Sequence, residues 1–332
     1  MKPLVLGAAG FLGLNLVDAL LAEGITPTCG RRRRTNVLLL RKRPVPLTWA
    51  DLDDREGLVD AMRGHDVVFH CAAHYPRSSL DPAGALETGL RQLEAALDAA
   101  VAAGVHRFVL VSTVATVAPA AGLATEADHW DAAPGFGAYH DLKWATERRA
   151  LAEERLDVRV VCPGACIGPW DLRVGTSALL AALAWGADPP HADGVVNPVD
   201  ARDVATALVR VGLHPDPPKR LILAAENLRL HPLMVRLAER YGVRRPSPPL
   251  PARRAKALAD REEALAQREN RRARMVREIV DLVVHGHPVD GSLASRALSL
   301  RYTPFERTLD DFDAWARPLG LLPPSPHRME SR

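Results

Sequence analysis

The sequence is poor in several features that would point to other trades. Aromatic residues make up only 5% of the 332 positions, which is thin provision for stacking on nucleobases. The formal net charge of +3 is small for this length and points to neither nucleic acid nor a membrane surface, the run Arg31–Arg34 being a local exception. Cysteine appears four times, at Cys29, Cys71, Cys162 and Cys166, always inside apolar or turn segments. These read as reduced, buried thiols of a cytosolic protein. Cys162 and Cys166 lack a second pair at ligand spacing, so no metal site is expected. No apolar run approaches the length of a membrane span. The first strand starts at residue 3, leaving no room for a signal peptide, so a cytoplasmic location is expected. A Gly-x-Ser-x-Gly turn is missing too, which leaves a serine hydrolase unsupported.

What the sequence has is alternation. Through residue 165, short apolar runs ("PLVLG", "ITPTCG", "VPLTWADL", "DVVFHCAA", "RFVLVS", "VRVVCP") take turns with helical patterns. Near-continuous apolar strands separated by helices predict an α/β chain, a doubly wound parallel sheet covered on both faces. Between Ala85 and Gly104, Leu86, Leu90, Leu93, Leu97 and Val101 share one predicted helical face. A helix is expected from about Tyr139 to Glu154. Beyond Pro163 the regularity fades, apart from a strand and helix in "NPVDARDVATALVRVGL" and a strand in "KRLILAA". The expected division is a dinucleotide-binding domain over 1–165, to which 197–225 returns, and a smaller, mostly helical substrate lobe over 166–196 and 226–325. Alternating charges over Arg253–Val284 predict one long helix with a solvated face. The last residues are expected to fray.

The stretch "LVLGAAGFLGLNLVDAL" places Gly7, Gly10 and Gly13 three apart, between a strand and a helix. A plain chain reversal would also use glycine, but the βαβ setting favours a phosphate-cradling turn. Gly7 permits the tight turn, Gly10 lets a pyrophosphate approach the backbone, and Gly13 lets helix and strand pack closely. The helix start, with Ala9, Phe11 and Leu12 beside the glycines, offers N–H groups and a partial positive charge. Where such folds choose between cofactors, the second strand ends in Cys29-Gly30-Arg31-Arg32, with no acid. A solvated basic turn is the plain reading. The sharper one is recognition of a 2′-phosphate by Arg31 and Arg32, making NADP(H) the preferred cofactor and NAD(H) the second choice.

"PGFGAYHDLKWATE" sets Tyr139 and Lys143 on one face of a helix. A phenol is a poor acid–base group at neutral pH, and a neighbouring ammonium lowers its pKa. Tyr139 is then fit to give a proton to a carbonyl oxygen or take one from an alcohol. Ser112 and Thr113, ending the fifth strand, supply hydroxyls to bind the same oxygen.

With these residues in hand, the chain resembles the extended short-chain dehydrogenases/reductases, often labelled NAD-dependent epimerase/dehydratase. The resemblance covers nearly the whole chain, through the glycine turn, Asp51-Leu52, "VFHCAAHY", "VLVSTVAT", Pro134 with Tyr139, Lys143 and Glu147, "CPGACIGPWD", "NPVDARDVA" and the closing "RYTPFERTLDDFDAWARPLGLL". It implies a Rossmann-type fold. It also implies that Asp51 and Leu52 hold the adenine and that Cys71, Ala72 and Ala73 line the cofactor cleft. Lys143 would hold the nicotinamide ribose as well, and Pro163, Gly164, Ala165 and Cys166 would border the nicotinamide. The register resembles flavonoid-reductase and 3-beta-hydroxysteroid-dehydrogenase-like members, and slightly favours Thr113 over Ser112 as the catalytic hydroxyl. Three positions depart from the pattern: Leu6 replaces a threonine, the Asn-Val-x-Gly-Thr of the fourth helix reads Leu86-Glu87-Thr88-Gly89-Leu90, and Ala118 replaces a tyrosine.

His65 and His70 read as structural. His74, Tyr75, Trp170 and Arg173 sit where substrate contacts emerge. The expected activity is NADP(H)-dependent reduction of a ketone or aldehyde in a small, apolar or cyclic substrate. The alternatives are a nucleotide-sugar epimerase or dehydratase with tightly held NAD, and a non-catalytic dinucleotide-binding protein. Small-molecule carbonyl or alcohol partners are expected, in a monomer or homodimer.

Overall fold

The structure is a computed structural model that describes residues 1–74, 80–172, 175, 177 and 178–324. Tyr75, Arg173 and the closing residues from 325 onward lie outside the described residues.

Strand β1 (Pro3–Leu6) leads through the glycine turn into α1 (Phe11–Ala22), and β2 (Thr28–Arg31) follows. Next come β3 (Leu47–Trp49), α2 (Arg55–Met62), β4 (Val67–His70) and α3 (Pro82–Ala102). Strand β5 (Arg107–Val111), α4 (Ala138–Leu151) and β6 (Asp157–Pro163) complete the first run, and β7 (Ala165–Ile167) begins the departure from it. Helix α5 (Ala178–Ala184), β8 (Val195–Val196), β9 (Pro198–Asp200), α6 (Ala201–Leu213) and β10 (Arg220–Leu223) come next. The chain closes with β11 (Leu228–Arg229), α7 (Leu230–Tyr241), α8 (Ala252–Arg268), α9 (Arg277–Val284), α10 (Ser292–Leu298) and α11 (Phe305–Ala316).

Seven strands form one parallel sheet in the order β10-β6-β5-β4-β1-β2-β3. Every residue of β1, β4, β5 and β10 is buried, because helices cover both faces. One face packs under α1 and α6, with Leu16, Val17, Ala205 and Leu208 in its core. The other packs under α2, α3 and α4, with Leu58, Leu93, Leu97 and Ala150. Strand order reverses at β1, whose neighbours are β2 and β4, and the glycine turn leaves β1 at this switch point. That is where open α/β sheets take their ligands. A separate core joins Leu183 of α5, Leu237 of α7 and Phe312 of α11.

One expectation about helices is refined and another is corrected. The face of α3 that disappears into the core is built from Ala85, Gly89, Leu93, Ala96 and Leu97, whereas Leu86, Leu90 and Val101 are only half-buried. Small residues face α4 because a side chain at Gly89 would overlap Leu142. The single long helix over Arg253–Val284 is two helices, α8 and α9, packed against each other. Asn270 takes a left-handed φ of 49°, and the Arg271 amide turns back to the Ala266 carbonyl. Its charged face is not all solvated, since Glu263, Glu278 and Asp281 are buried.

Candidate active site

The glycine turn is built for close approach. Gly7 has φ +79°, and a Cβ there would stand 2.7 Å from the Ala72 amide nitrogen on the neighbouring β4 connection. A side chain at Gly13 would overlap the Gly7 carbonyl oxygen. Gly10 is the N-cap of α1, and among the described residues no side chain caps this helix and no acid sits in its first turn. A twelve-residue helix thus ends in bare N–H donors and a partial positive charge at the sheet's switch point. This arrangement fits the pyrophosphate of a dinucleotide.

A small, partly open hollow lies alongside, lined among others by Leu52, Ala73, His74, Gln92, Ser112 and Lys143. It gathers the ends of β3, β4 and β5 with one face of α4. Asp51 lies next to this wall, half-buried, its carboxylate accepting from the Asp53 amide at 3.3 Å. Cys71 and Ala72 follow β4 beneath the glycine turn, and burial pushes the Cys71 thiol up to about 12. The basic turn sits at the end of β2: Arg31 is half-buried, Arg32 to Arg34 are exposed, and Arg33 lies over the Trp49 ring at 5.5 Å.

Helix α4 carries Tyr139 and Lys143 in successive turns. Both side chains are half-buried. Lys143 Nζ donates to the Val111 carbonyl at 3.5 Å, tying the helix to the end of β5. Burial lowers the pKa of Lys143, while Glu147 opposes the shift. The two hydroxyls after β5 have different surroundings. Ser112 donates to the buried carboxylate of Glu147, which also accepts from Thr116 at 2.6 Å and from the Cys162 thiol at 3.4 Å. The other Glu147 oxygen meets Arg220 Nε at 2.7 Å. Thr113 instead accepts from the Ala115 amide at 3.3 Å.

Other candidates are distributed differently. His70 ends β4, buried beside Phe108, with burial pulling its pKa down to about 3, so it is neutral at physiological pH. Pro163 is buried at the end of β6. Gly164 leads into β7, where Ala165 and Cys166 pair with β9, and a side chain at Gly164 would overlap the Asn197 carbonyl. The Cys166 thiol donates to the Gly164 carbonyl, and burial pushes it up to about 12. Trp170, at φ 76°, is half-buried: Arg43 lies over its ring at 4.6 Å and Trp315 meets it edge-on at 6.2 Å. Arg43 in turn grips Asp18 through Nε and Nη2, at 2.5 and 2.7 Å. Sequence spacing gives no hint of the Glu147–Arg220 pair or of Glu278, whose carboxylate meets the start of α4. Their partners lie far along the chain and announce themselves only in three dimensions.

Comparison with known proteins gives a family and a fold. The model of the NAD dependent epimerase/dehydratase family matches residues 3–225. The chain is 29% identical to sterol demethylase protein B of Methylococcus capsulatus, over 97% of this chain and 100% of that one. It is 28% identical to a putative dihydroflavonol 4-reductase of Synechocystis, over 96% and 95%. In fold it is similar to a nucleoside-diphosphate-sugar epimerase from Pseudomonas aeruginosa, with TM-score 0.80, 24% identity, and 97% and 99% of the two chains covered.

Proposed function

The chain belongs to the NAD-dependent epimerase/dehydratase family of extended short-chain dehydrogenase/reductase enzymes, and from that premise we propose that it is an NADP(H)-dependent carbonyl reductase. Its substrate would be a ketone or aldehyde that is small and largely apolar or cyclic. The observation that carries this reading is the Tyr139–Lys143 pair on α4 beside the end of β5, where Ser112 is bound to Glu147 and Thr113 is not.

When bound, the nicotinamide would supply the hydride or accept it. The glycine turn and the bare start of α1 would hold the pyrophosphate, with Leu52 against the adenine and Lys143 on the nicotinamide ribose. Thr113 would donate its hydroxyl proton as a hydrogen bond to the substrate carbonyl oxygen, fixing it and stabilising charge that develops there. Tyr139 would pass its phenolic proton to the same oxygen, completing the alcohol. The Lys143 ammonium would stabilise the phenolate left behind. In the reverse direction, Tyr139 would accept the proton. At the mouth of the basic turn, Arg31 and Arg32 would grip the 2′-phosphate through charge-assisted bonds.

A sugar-nucleotide substrate is less well served. In the turn after β6, Ala165 has no polar side-chain group and the Cys166 thiol is buried and engaged with Gly164. The names of reductase relatives favour carbonyl chemistry, and the fold neighbours leave the sugar-nucleotide reading as the rival.

The deciding experiment is a panel of ketones and aldehydes with NADPH, followed by loss of reduced cofactor, alongside thermal melting with a UDP- or dTDP-sugar. Turnover of a carbonyl compound with no melting shift from the sugar nucleotide is the expected result. Epimerised sugar nucleotide formed without added cofactor would replace this reading by its rival.

A further inference from the structure

Helix α4 begins without a cap of its own. Its N-cap, Gly137, has no side chain to offer, and the acceptor comes from the other end of the chain. Glu278, on α9, accepts from the Ala138 amide at 3.1 Å through one oxygen and from the Tyr139 amide at 2.9 Å through the other. Its side chain is fully buried. Gly137 makes room for it: at φ 140°, a Cβ there would stand 3.1 Å from Glu278 Oε2 and 3.2 Å from Asp281 Oδ2. Nearby, Phe136 stacks on His285 with ring centroids 3.6 Å apart, a second tie between the start of α4 and the end of α9.

We propose that Glu278 is a positioning residue for the reaction, holding the first turn of α4 so that Tyr139 is set correctly against Thr113 and Lys143. The inference rests on the reading of Tyr139 as proton donor. Two hydrogen bonds to a carboxylate belong to the strong, charge-assisted class, and a negative charge suits a helix N-terminus. One of the two amides belongs to Tyr139 itself, so the carboxylate fixes the backbone from which the phenol projects. The charge has a second effect: it opposes formation of a phenolate nearby, as does its cancelling of the positive helix end.

The groups around Glu278 keep the site specific. Asp281 is held by Lys256 at 2.7 Å and by Arg277 at 2.8 Å. Arg277 also pairs with Asp260 at 2.6 Å, and its amide donates to Glu263 at 2.9 Å. His140 and His285 complete the surroundings, their rings 6.2 Å apart. Burial raises the pKa of Glu278, and Asp281 and Glu263 push the same way, whereas the two α4 amides favour the carboxylate.

The test needs no substrate. The chain has four tyrosines. Burial pushes the phenols of Tyr241 and Tyr302 upward, so they titrate late. Subtracting the tyrosinate absorbance of Tyr139→Phe from that of the parent isolates the Tyr139 phenol. In Glu278→Gln its midpoint should fall by about half a pH unit, the scale of a helix-terminus charge effect. NADPH should still raise the melting temperature of that variant. In Glu278→Asp, which keeps the charge, the midpoint should stay near that of the parent. A midpoint unchanged or raised in Glu278→Gln, or lowered equally in Glu278→Asp, overturns the proposal. If both variants fail to fold, Glu278 serves folding alone and the positioning role is lost. Full turnover in Tyr139→Phe would instead remove the proton-donor reading, a separate failure visible in a separate assay.

Discussion

Ser112 and Glu147 are joined by a buried hydrogen bond from hydroxyl to carboxylate, whereas the adjacent Thr113 hydroxyl accepts from the Ala115 amide instead. Ser112→Ala should cost about 1.5–3 kcal/mol of stability, the range for a hydrogen bond to a charged group, with most turnover kept. Thr113→Val should leave the unfolding midpoint nearly unchanged and lower turnover about a hundredfold, as for loss of a donor to a developing oxyanion. Denaturant unfolding and steady-state rates on the same preparations decide it. Reversed phenotypes would exchange the two roles.

Tyr139→Phe keeps the ring and removes the proton. Turnover should drop about a hundredfold or more, with cofactor binding intact. Lys143→Met should damage both, since the ammonium would serve the phenol and the ribose. Cofactor titration by fluorescence, set beside the rates, reads the difference, and a fully active Tyr139→Phe would sink the assignment.

NADPH should bind more tightly than NADH. Replacing Arg31 and Arg32 together by alanine should weaken NADPH and nearly spare NADH, because only the former carries the 2′-phosphate. Equal affinities in the parent protein, measured calorimetrically, would leave the basic turn as a solvated surface.

Acid should destabilise this fold through its histidines. Burial lowers the pKa of His70 from 6.5 to about 3 and that of His140 to about 4, and His129 and His285 move the same way. The unfolded chain takes up protons near pH 6.5 that the folded chain refuses. Their contribution is therefore complete above about pH 6.5 and is lost as pH falls toward those lower values. Between pH 7 and 5, His70→Leu should unfold with roughly one proton fewer taken up than the parent. An identical pH slope in both proteins would show that His70 titrates normally.

The sheet was readable because its strands are buried on both faces and so appear as unbroken apolar runs, as in "RFVLV" and "RLIL". The glycine turn and the Tyr139–Lys143 spacing were readable because each is local, a matter of one turn or one helix face. What stayed hidden is non-local. Nothing near Ser112 in sequence announces Glu147, and nothing near Gly137 announces Glu278. The break between α8 and α9 also escaped, because Asn270 ends α8 without a proline or glycine and the charge pattern runs on across it. The packing of Trp170 is not legible either, because its partners, Arg43 and Trp315, lie on distant segments.

Strand β10 enters the sheet beside β6 only after the chain has run out through β7 and α5 and come back, and Arg220 at its start is the ion-pair partner of Glu147. Exchange of parts between relatives is constrained by that path. A single crossover after Pro163 would import a foreign edge strand, and with it a foreign partner for the carboxylate that holds Ser112. A chimaera meant to change only what lines the substrate side therefore needs two inserts, flanking a native 197–225 segment, and a library built from single crossovers should lose folded protein at this junction first.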